Sequence, residues 1–447
     1  MRAVASLRRV SQPTGSNRAL VLGTIGTFGL NALAVVLNFV LVLVLSRSLG
    51  AEGYGAYASA LAWAGVLSMV AVLGLTPLVV RHIAAYHASE AWGLLRGLLR
   101  RANQLVGLAS VVTILVAAPI GWLIYRDRPA LLQPFLIALL LVPLIPLASL
   151  RQAAMQGLGR VVLGRTPDTA IAPTLFIVAI VVAGSALGDR FTATWATGLQ
   201  VAATACALVL GIVLLRRTLP RSVLRAAPEY EMQSWRRSGA SLILLNVVLA
   251  ASAQVGTIML GALTTAGDAG VFDAAVRTTR LISFVMLAAS YPLMPLVARL
   301  HASHEREHLQ RTVIRTARGV LLVAVPTGTV VVVFAPVILR VFGAEFDEGA
   351  TAMRILALGE VANVLTGFGG LVLVMSGRES DLARCVALGA VVNIGLSALL
   401  IPTLDVNGAA IATATAMTLS NTAMSLLAWR RLGVWTPVAG TRPWLES

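Results

Sequence analysis

Apolar stretches long enough to cross a bilayer recur from Leu20 to Trp429, separated by short polar segments. An α-helix rises about 1.5 Å per residue, so roughly 20 apolar residues cover a hydrocarbon core of about 30 Å. Lipid offers no partner to backbone N–H and C=O groups, so such stretches must be helices. The pattern places spans near 20–45, 54–80, 98–124, 130–153, 166–187, 191–215, 239–263, 271–297, 313–335, 348–376, 382–401 and 407–429. It predicts an all-α, polytopic membrane protein with about 12 transmembrane helices. The composition agrees. Of the 447 residues, 57% are hydrophobic and 12% charged, and the mean hydropathy is +0.85. Soluble domains carry about 25% charged residues. The first apolar run, Leu20 to Leu45, exceeds the roughly 7–15 residues of a signal-peptide core, so it is expected to be a retained span.

Charge orients these spans. All 35 basic residues are Arg, and the formal net charge is +16. Such a balance can signal nucleic acid, but here the Arg residues fall between apolar runs, and no nucleic-acid partner is expected. With the N-terminus inside, the outer loops hold only Arg47, Arg126, Arg128, Arg190 and Arg340. Arg277, Arg280 and Arg354 fall within spans, and the remaining Arg residues lie on the inner side. This asymmetry follows the positive-inside rule and places both termini in the cytoplasm. Cys206 and Cys385 sit in separate apolar runs and are expected as small core residues, with no disulfide, metal or cofactor.

The longest polar linker, residues 216–238, divides the chain into two halves of six spans. The expected domains are a cytoplasmic segment 1–19, an N-terminal six-helix lobe 20–215, a cytoplasmic linker 216–238, a C-terminal six-helix lobe 239–430 and a cytoplasmic tail 431–447. An internal repeat supports the division. The second span runs from Gly55-Ala56-Tyr57 to Thr76-Pro77-Leu78, and the eighth from Gly270-Val271-Phe272 to Tyr291-Pro292-Leu293. Gly to Pro is 22 positions in both. Gly159-Arg160 and Gly377-Arg378 then follow in near register. Even span counts keep both lobes in one orientation, so the repeat is parallel, about an axis along the membrane normal. Two such lobes facing a central cavity suit alternating access.

Three motifs carry a family resemblance. Leu45-Ser-Arg-Ser-Leu-Gly-Ala-Glu-Gly-Tyr-Gly-Ala-Tyr57 resembles the first loop of polysaccharide-biosynthesis flippases, members of the multidrug/oligosaccharidyl-lipid/polysaccharide exporter superfamily. Phe342-Gly343 with Glu345-Phe346 and Leu356 resembles its ninth-to-tenth span region, and Ile401 to Ala412 its turn before the last span. The resemblance implies two six-helix lobes and a V-shaped cavity lined by spans one, two, seven and eight. It also implies a lipid-linked saccharide as substrate.

Polar residues inside spans are the candidate site. Asp273, Arg277 and Arg280 lie at i, i+4 and i+7, one face of the eighth span. Intramembrane charges cost several kcal/mol and normally face a cavity or a partner. Guanidinium matches phosphate in shape and stays charged, so Arg277 and Arg280 are candidates to grip a pyrophosphate. The structural alternative is an Asp273–Arg277 pair with Arg280 reaching the interface. Glu360, with Asn363 beside it, is a candidate site for a coupling H⁺ or Na⁺, as is Asp273; a packed, protonated Glu is the alternative. Asn31 and Asn38 share a face of the first span, and Asn246 and Gln254 one of the seventh. These amides suit sugar hydroxyls or interhelical hydrogen bonds equally. Asp168 is expected to pair structurally with Arg165.

His304-Glu305-Arg306-Glu307-His308 fits H-E-x-x-H. A catalytic zinc needs a third protein ligand in a dry pocket, and this segment reads as a charged, exposed loop. No Gly-Lys-Ser/Thr phosphate loop and no Gly-x-Ser-x-Gly elbow is present. The resulting expectation is a non-enzymatic flippase of a bacterial plasma membrane, moving a polyprenyl-pyrophosphate-linked oligosaccharide. Membrane lipids, a coupling cation and polysaccharide-assembly proteins are its expected partners. A drug or cation exporter is the alternative within the superfamily. A membrane glycan polymerase or ligase, then a zinc intramembrane protease, are alternatives outside it.

Overall fold

The computed structural model describes residues 14–231, 252 and 254–438, with the side chains of 14–25 and 189 outside that description. Asn246, the last seven residues of the linker (232–238) and the tail from 439 on fall outside it. The first half comprises α1 (Thr14–Val72), α2 (Leu75–Ala88), α3 (Trp92–Tyr125), α4 (Pro129–Ala138), α5 (Leu141–Gly157), α6 (Val161–Thr166), a π-helical turn (Pro167–Ile171), α7 (Ala172–Leu187), α8 (Ala193–Thr218) and α9 (Arg221–Arg225). The second comprises α10 (Gln254–Leu263), α11 (Ala266–Ala302), α12 (Arg306–Val333), α13 (Ala335–Arg340), a 3-10 turn (Ala344–Gly349), α14 (Ala350–Thr366), α15 (Gly369–Met375) and α16 (Glu379–Leu432).

Among the described residues, 8 helices are long and apolar enough to cross a membrane, or 9 if the bent pair Ala344–Thr366 and Gly369–Met375 forms one span. The protein is an all-helical polytopic membrane protein. Two of those helices are double length. The apolar part of α1, Gly26–Val72, has 47 residues, about 70 Å at 1.5 Å per residue, more than twice a hydrocarbon core. It breaks at Gly50, whose φ of 67° lies in the region glycine adopts without penalty. The 54 residues of α16 break at Asp405 (φ 46°, ψ −124°), inside the motif read as the turn before the last span. With both split, the bent pair joined and α10 added, the elements follow the order of twelve spans expected from hydropathy.

The tenth span departs from the unbroken helix expected over 348–376. It bends by 46° between α14 and α15, at Gly367 (φ 75°). A break inside a membrane needs partners for the freed carbonyls, and they come from the end of the chain. The Ser425 and Thr436 hydroxyls donate to Thr366 O at 2.7 and 3.3 Å, and Val438 N donates to Leu365 O at 3.1 Å. Gly367 is required: a Cβ there would lie 2.0 Å from Thr436 O.

The repeat positions meet in space. α1 packs along α11, with Gly55 on one helix against Gly270 on the other. A Cβ on Gly55 would lie 1.6 Å from Ala266 O, and one on Gly270 2.6 Å from Ala51 O. Two of the resembling motifs meet beside this contact. Ala51 N donates to Glu345 Oε2 at 2.9 Å and Arg47 Nε to Val341 O at 2.9 Å. Arg128 donates to the carbonyls of Gly261, Ala262 and Thr264, the last at 3.0 Å, where a helix end leaves carbonyls unpaired. All these residues lie at the end the Arg distribution assigns to the outside, so the molecule is closed there.

The predicted Arg165–Asp168 pair is corrected. Asp168 bonds instead with the buried Arg151 of α5, which also donates to Gly164 O at 3.0 Å. The π-helical turn, an insertion common at functional sites, changes the register of Asp168, which sequence spacing alone does not reveal. Gly211 makes room for Arg151: a Cβ there would lie 2.3 Å from its Nε. Gly211→Val is therefore expected to expel Arg151 and destabilise the first half by about 3–5 kcal/mol, the cost of breaking a buried ion pair. A melting temperature in detergent equal to wild type would refute this slot. One further expectation changes. Cys206 is exposed on α8 rather than packed, whereas Cys385 is buried. Arg354 is exposed and donates its Nε to Val332 O at 3.1 Å.

Candidate functional site

Three neighbouring recesses meet at α11. The first is a polar cavity of about 540 Å³ between the two halves. α1 supplies Asn31, Asn38, Tyr54 and Tyr57; α5 supplies Gln152; α6 and the π turn supply Arg165, Asp168 and Thr169; α8 supplies Gln200 and Thr204. Gln254 of α10 and Arg277 of α11 close the far wall. The second is a groove of about 440 Å³ between α1 and α11, lined mainly by apolar side chains including Val35, Phe39, Val42, Leu281, Phe284 and Leu287. The third, of about 370 Å³, lies within the second half among Phe272, Thr279, Arg280, Glu360, Asn393 and Asn421.

The intramembrane Arg residues stand at the junctions. Arg277 lines both the polar cavity and the apolar groove. Arg280 lines the groove and the third recess. Neither is sealed in a packed core: Arg280 is exposed, and the side chain of Arg277 is 33% exposed. Asp273 orients Arg277. Its buried carboxylate accepts Nε of Arg277 at 2.6 Å and the Tyr54 hydroxyl at 2.5 Å. Guanidinium has five N–H donors, so this bond leaves most of them for a ligand. The i,i+4 spacing that places Asp273 below Arg277 is a property of the helix. The Tyr54 contact joins residues 219 positions apart.

The amides take different places. Asn31 donates to the Tyr291 hydroxyl at 2.9 Å, linking α1 to α11. Asn38 donates back to Ala34 O at 2.7 Å and lines both the cavity and the groove. Gln254 lines the polar cavity across from Gly65 of α1, 3.6 Å from where a Cβ would stand. Glu360 is buried in the third recess, accepts from Asn363 at 3.4 Å, and is tied through it to Asn421 at 2.8 Å. The structure thus brings Asn31, Asn38, Gln254 and Arg277 to one cavity, and Arg280 and Glu360 to another.

Tyr54, Tyr57, Gln152, Gln200 and Thr204 were not anticipated as site residues. They form a polar wall in the first half: the Tyr57 hydroxyl donates to Gln200 Oε1 at 3.3 Å, and Gln200 Nε2 to Thr204 at 3.3 Å. Tyr54 and Tyr57 stand in the first resembling motif, which was the available signal. Single polar residues on separate apolar spans, like Gln152 and Gln200, carry none. The H-E-x-x-H segment straddles a turn and a helix start, with His304 at φ 58° and α12 beginning at Arg306. Among the described residues no group of three metal-ligating side chains occurs.

The chain matches the model of the family described as "Polysaccharide biosynthesis protein" over residues 20–301, and that of "MatE" over 242–399. It is 24% identical over 157 residues to the probable low-salt glycan biosynthesis flippase Agl15 of Haloferax volcanii. That match covers 35% of this chain and spans about a third (33%) of the relative's length. An inward-facing multidrug resistance MATE family transporter of the MOP superfamily shares the fold, with a TM-score of 0.73 at 13% identity, covering 90% of this chain and 94% of the other. So does the lipid II flippase MurJ in an inward closed conformation, with a TM-score of 0.69 at 12% identity, covering 93% and 88%.

Proposed function

The chain belongs to the polysaccharide biosynthesis protein family of membrane transporters, and from that premise we propose that it flips a polyprenyl-pyrophosphate-linked oligosaccharide from the inner to the outer leaflet of a bacterial plasma membrane. The observation that supports this most is the position of Arg277, shared by a polar cavity and an apolar groove. A lipid-linked saccharide has the same order: sugar, pyrophosphate, hydrocarbon. The sugar fits the polar cavity, the tail fits the groove between α1 and α11, and the pyrophosphate falls at Arg277 and Arg280. Asn31, Asn38 and Gln254, with Asn246 of the adjoining sequence, would meet sugar hydroxyls. Lobes 20–215 and 239–430 rock about this site while linker 216–238 and both termini stay cytoplasmic.

A drug or cation exporter would need a carboxylate free to meet a cation. In the polar cavity Asp168 is held by Arg151, and beside it Asp273 is held by Arg277 and Tyr54. The fold family is one of transporters, not enzymes, which sets aside the polymerase, ligase and protease alternatives. The direct test is translocation of a short-chain polyprenyl-pyrophosphate disaccharide by purified protein in liposomes. Protein-dependent flipping supports the reading, and flipping no faster than in empty liposomes overturns it.

Glu360 is the proposed site of the coupling H⁺ or Na⁺. Its recess also holds Arg280, so a bound cation or proton there alters the charge that Arg280 faces. Glu360→Gln is expected to leave binding of the same disaccharide in place and make its translocation insensitive to an imposed pH or Na⁺ gradient. Retention of the wild-type gradient response would remove Glu360 from coupling.

A further inference from the structure

Among the described residues, the polar cavity contains one cation that its surroundings do not balance. Asp273 neutralises Arg277 at 2.6 Å, and Arg151 and Asp168 pair with each other. Arg165, next to Asp168 on the same wall, pairs with no carboxylate among the described residues, and its Nε is buried without a hydrogen-bond partner. Residues 1–25, 232–251 and 253 contain no Asp and no Glu. A buried guanidinium N–H without a partner is costly, and this one lines an open cavity where a ligand can supply the missing acceptor.

Its neighbours define what that ligand is. Arg165 belongs to the first half, across the cavity from Arg277, and shares its wall with Gln152, Thr169, Gln200 and Thr204. Amides and hydroxyls suit sugar hydroxyls, and the apolar groove that suits a lipid tail opens at Arg277, not at Arg165. Resting on the flippase reading, we propose that Arg165 binds a carboxylate on the saccharide itself, so that the cargo is an acidic glycan such as one bearing a uronic acid. Guanidinium receives a carboxylate in a two-pronged geometry that a neutral sugar does not supply.

The test compares two short-chain prenyl-pyrophosphate disaccharides, one ending in glucose and one in glucuronic acid, by affinity for the purified full chain. Wild type should favour the acidic compound by about tenfold, the discrimination expected of one charge-assisted contact. Arg165→Gln should lose that preference, and Arg165→Lys should retain part of it. Arg277→Ala should weaken both compounds alike, because both carry the pyrophosphate. Equal weakening of both compounds by Arg165→Gln, or no preference in wild type, overturns the assignment while leaving the flippase reading standing. Failure of wild type to bind either compound overturns both. Size-exclusion profiles and melting temperatures show whether each variant is folded.

Discussion

Arg277→Ala is expected to lower translocation of a polyprenyl-pyrophosphate saccharide at least about 100-fold, which corresponds to about 2.7 kcal/mol. The loss has two sources. Charge-assisted hydrogen bonds contribute about 1.5–3 kcal/mol each, and the substitution removes those proposed between Arg277 and the pyrophosphate. It also leaves the buried Asp273 carboxylate with only Tyr54 as a hydrogen-bond donor, and orphaning a buried charge costs about 3–5 kcal/mol. A second variant separates binding from stability. Asp273→Asn combined with Arg277→Gln removes both charges and keeps groups able to hydrogen-bond each other and Tyr54. It is expected to recover most of the lost melting temperature and none of the translocation. Translocation by the double variant near the wild-type rate would make Arg277 a structural partner of Asp273 and nothing more.

Gly55→Leu is expected to reduce translocation to the rate of protein-free liposomes. The contact between Gly55 and the start of α11 is backbone against backbone: a Cβ would lie 1.6 Å from Ala266 O and 2.8 Å from Gly270 N. Carbonyl oxygen and amide nitrogen cannot rotate away as a side chain can, so any residue other than glycine must push the helices apart. The end closed by this contact then stays open, and the inward-facing state of the proposed cycle is lost. The hydrogen bonds from Ala51 to Glu345 and from Arg47 to Val341 lie beside the contact and should break with it. A cysteine at Ala56, buried in the closed state, then becomes reactive to an impermeant maleimide added outside. Wild-type translocation by Gly55→Leu, or unchanged labelling, would show that this contact is not a gate.

These two residues show unequal legibility. Arg277 stands out in the chain because charge is rare at membrane depth, and its relation to Asp273 follows from 3.6 residues per turn. Gly55 and Gly270 appear in the sequence only as matching points of a repeat. In a parallel repeat, equivalent positions lie opposite each other across the axis, and the contact of Gly55 with Gly270 is what the repeat read from the sequence would give. That consequence becomes visible once the halves are docked.

The polar wall and the Arg151–Asp168 pair were not legible. Sequence spacing placed Asp168 three residues from Arg165 and predicted a local pair. The π-helical turn at Pro167–Ile171 changes that register and turns Asp168 to a different helix. The space that admits Arg151 is Gly211, 60 positions further on. Gln152 and Gln200 gave no pattern, since a single amide on an apolar span looks the same whether it faces a cavity, a neighbour or lipid.

By itself the sequence determined what depends on the solvent and on near neighbours along the chain: helices, their number and order, and which charges lie at membrane depth. Water and lipid sort residues one segment at a time, and helical period fixes partners within a turn or two. Tertiary structure decided which partner Asp168 found, which end of the molecule closed, and that Arg277 borders two unlike recesses. Those outcomes depend on contacts between residues from 17 to 294 positions apart, whose geometry no local periodicity contains.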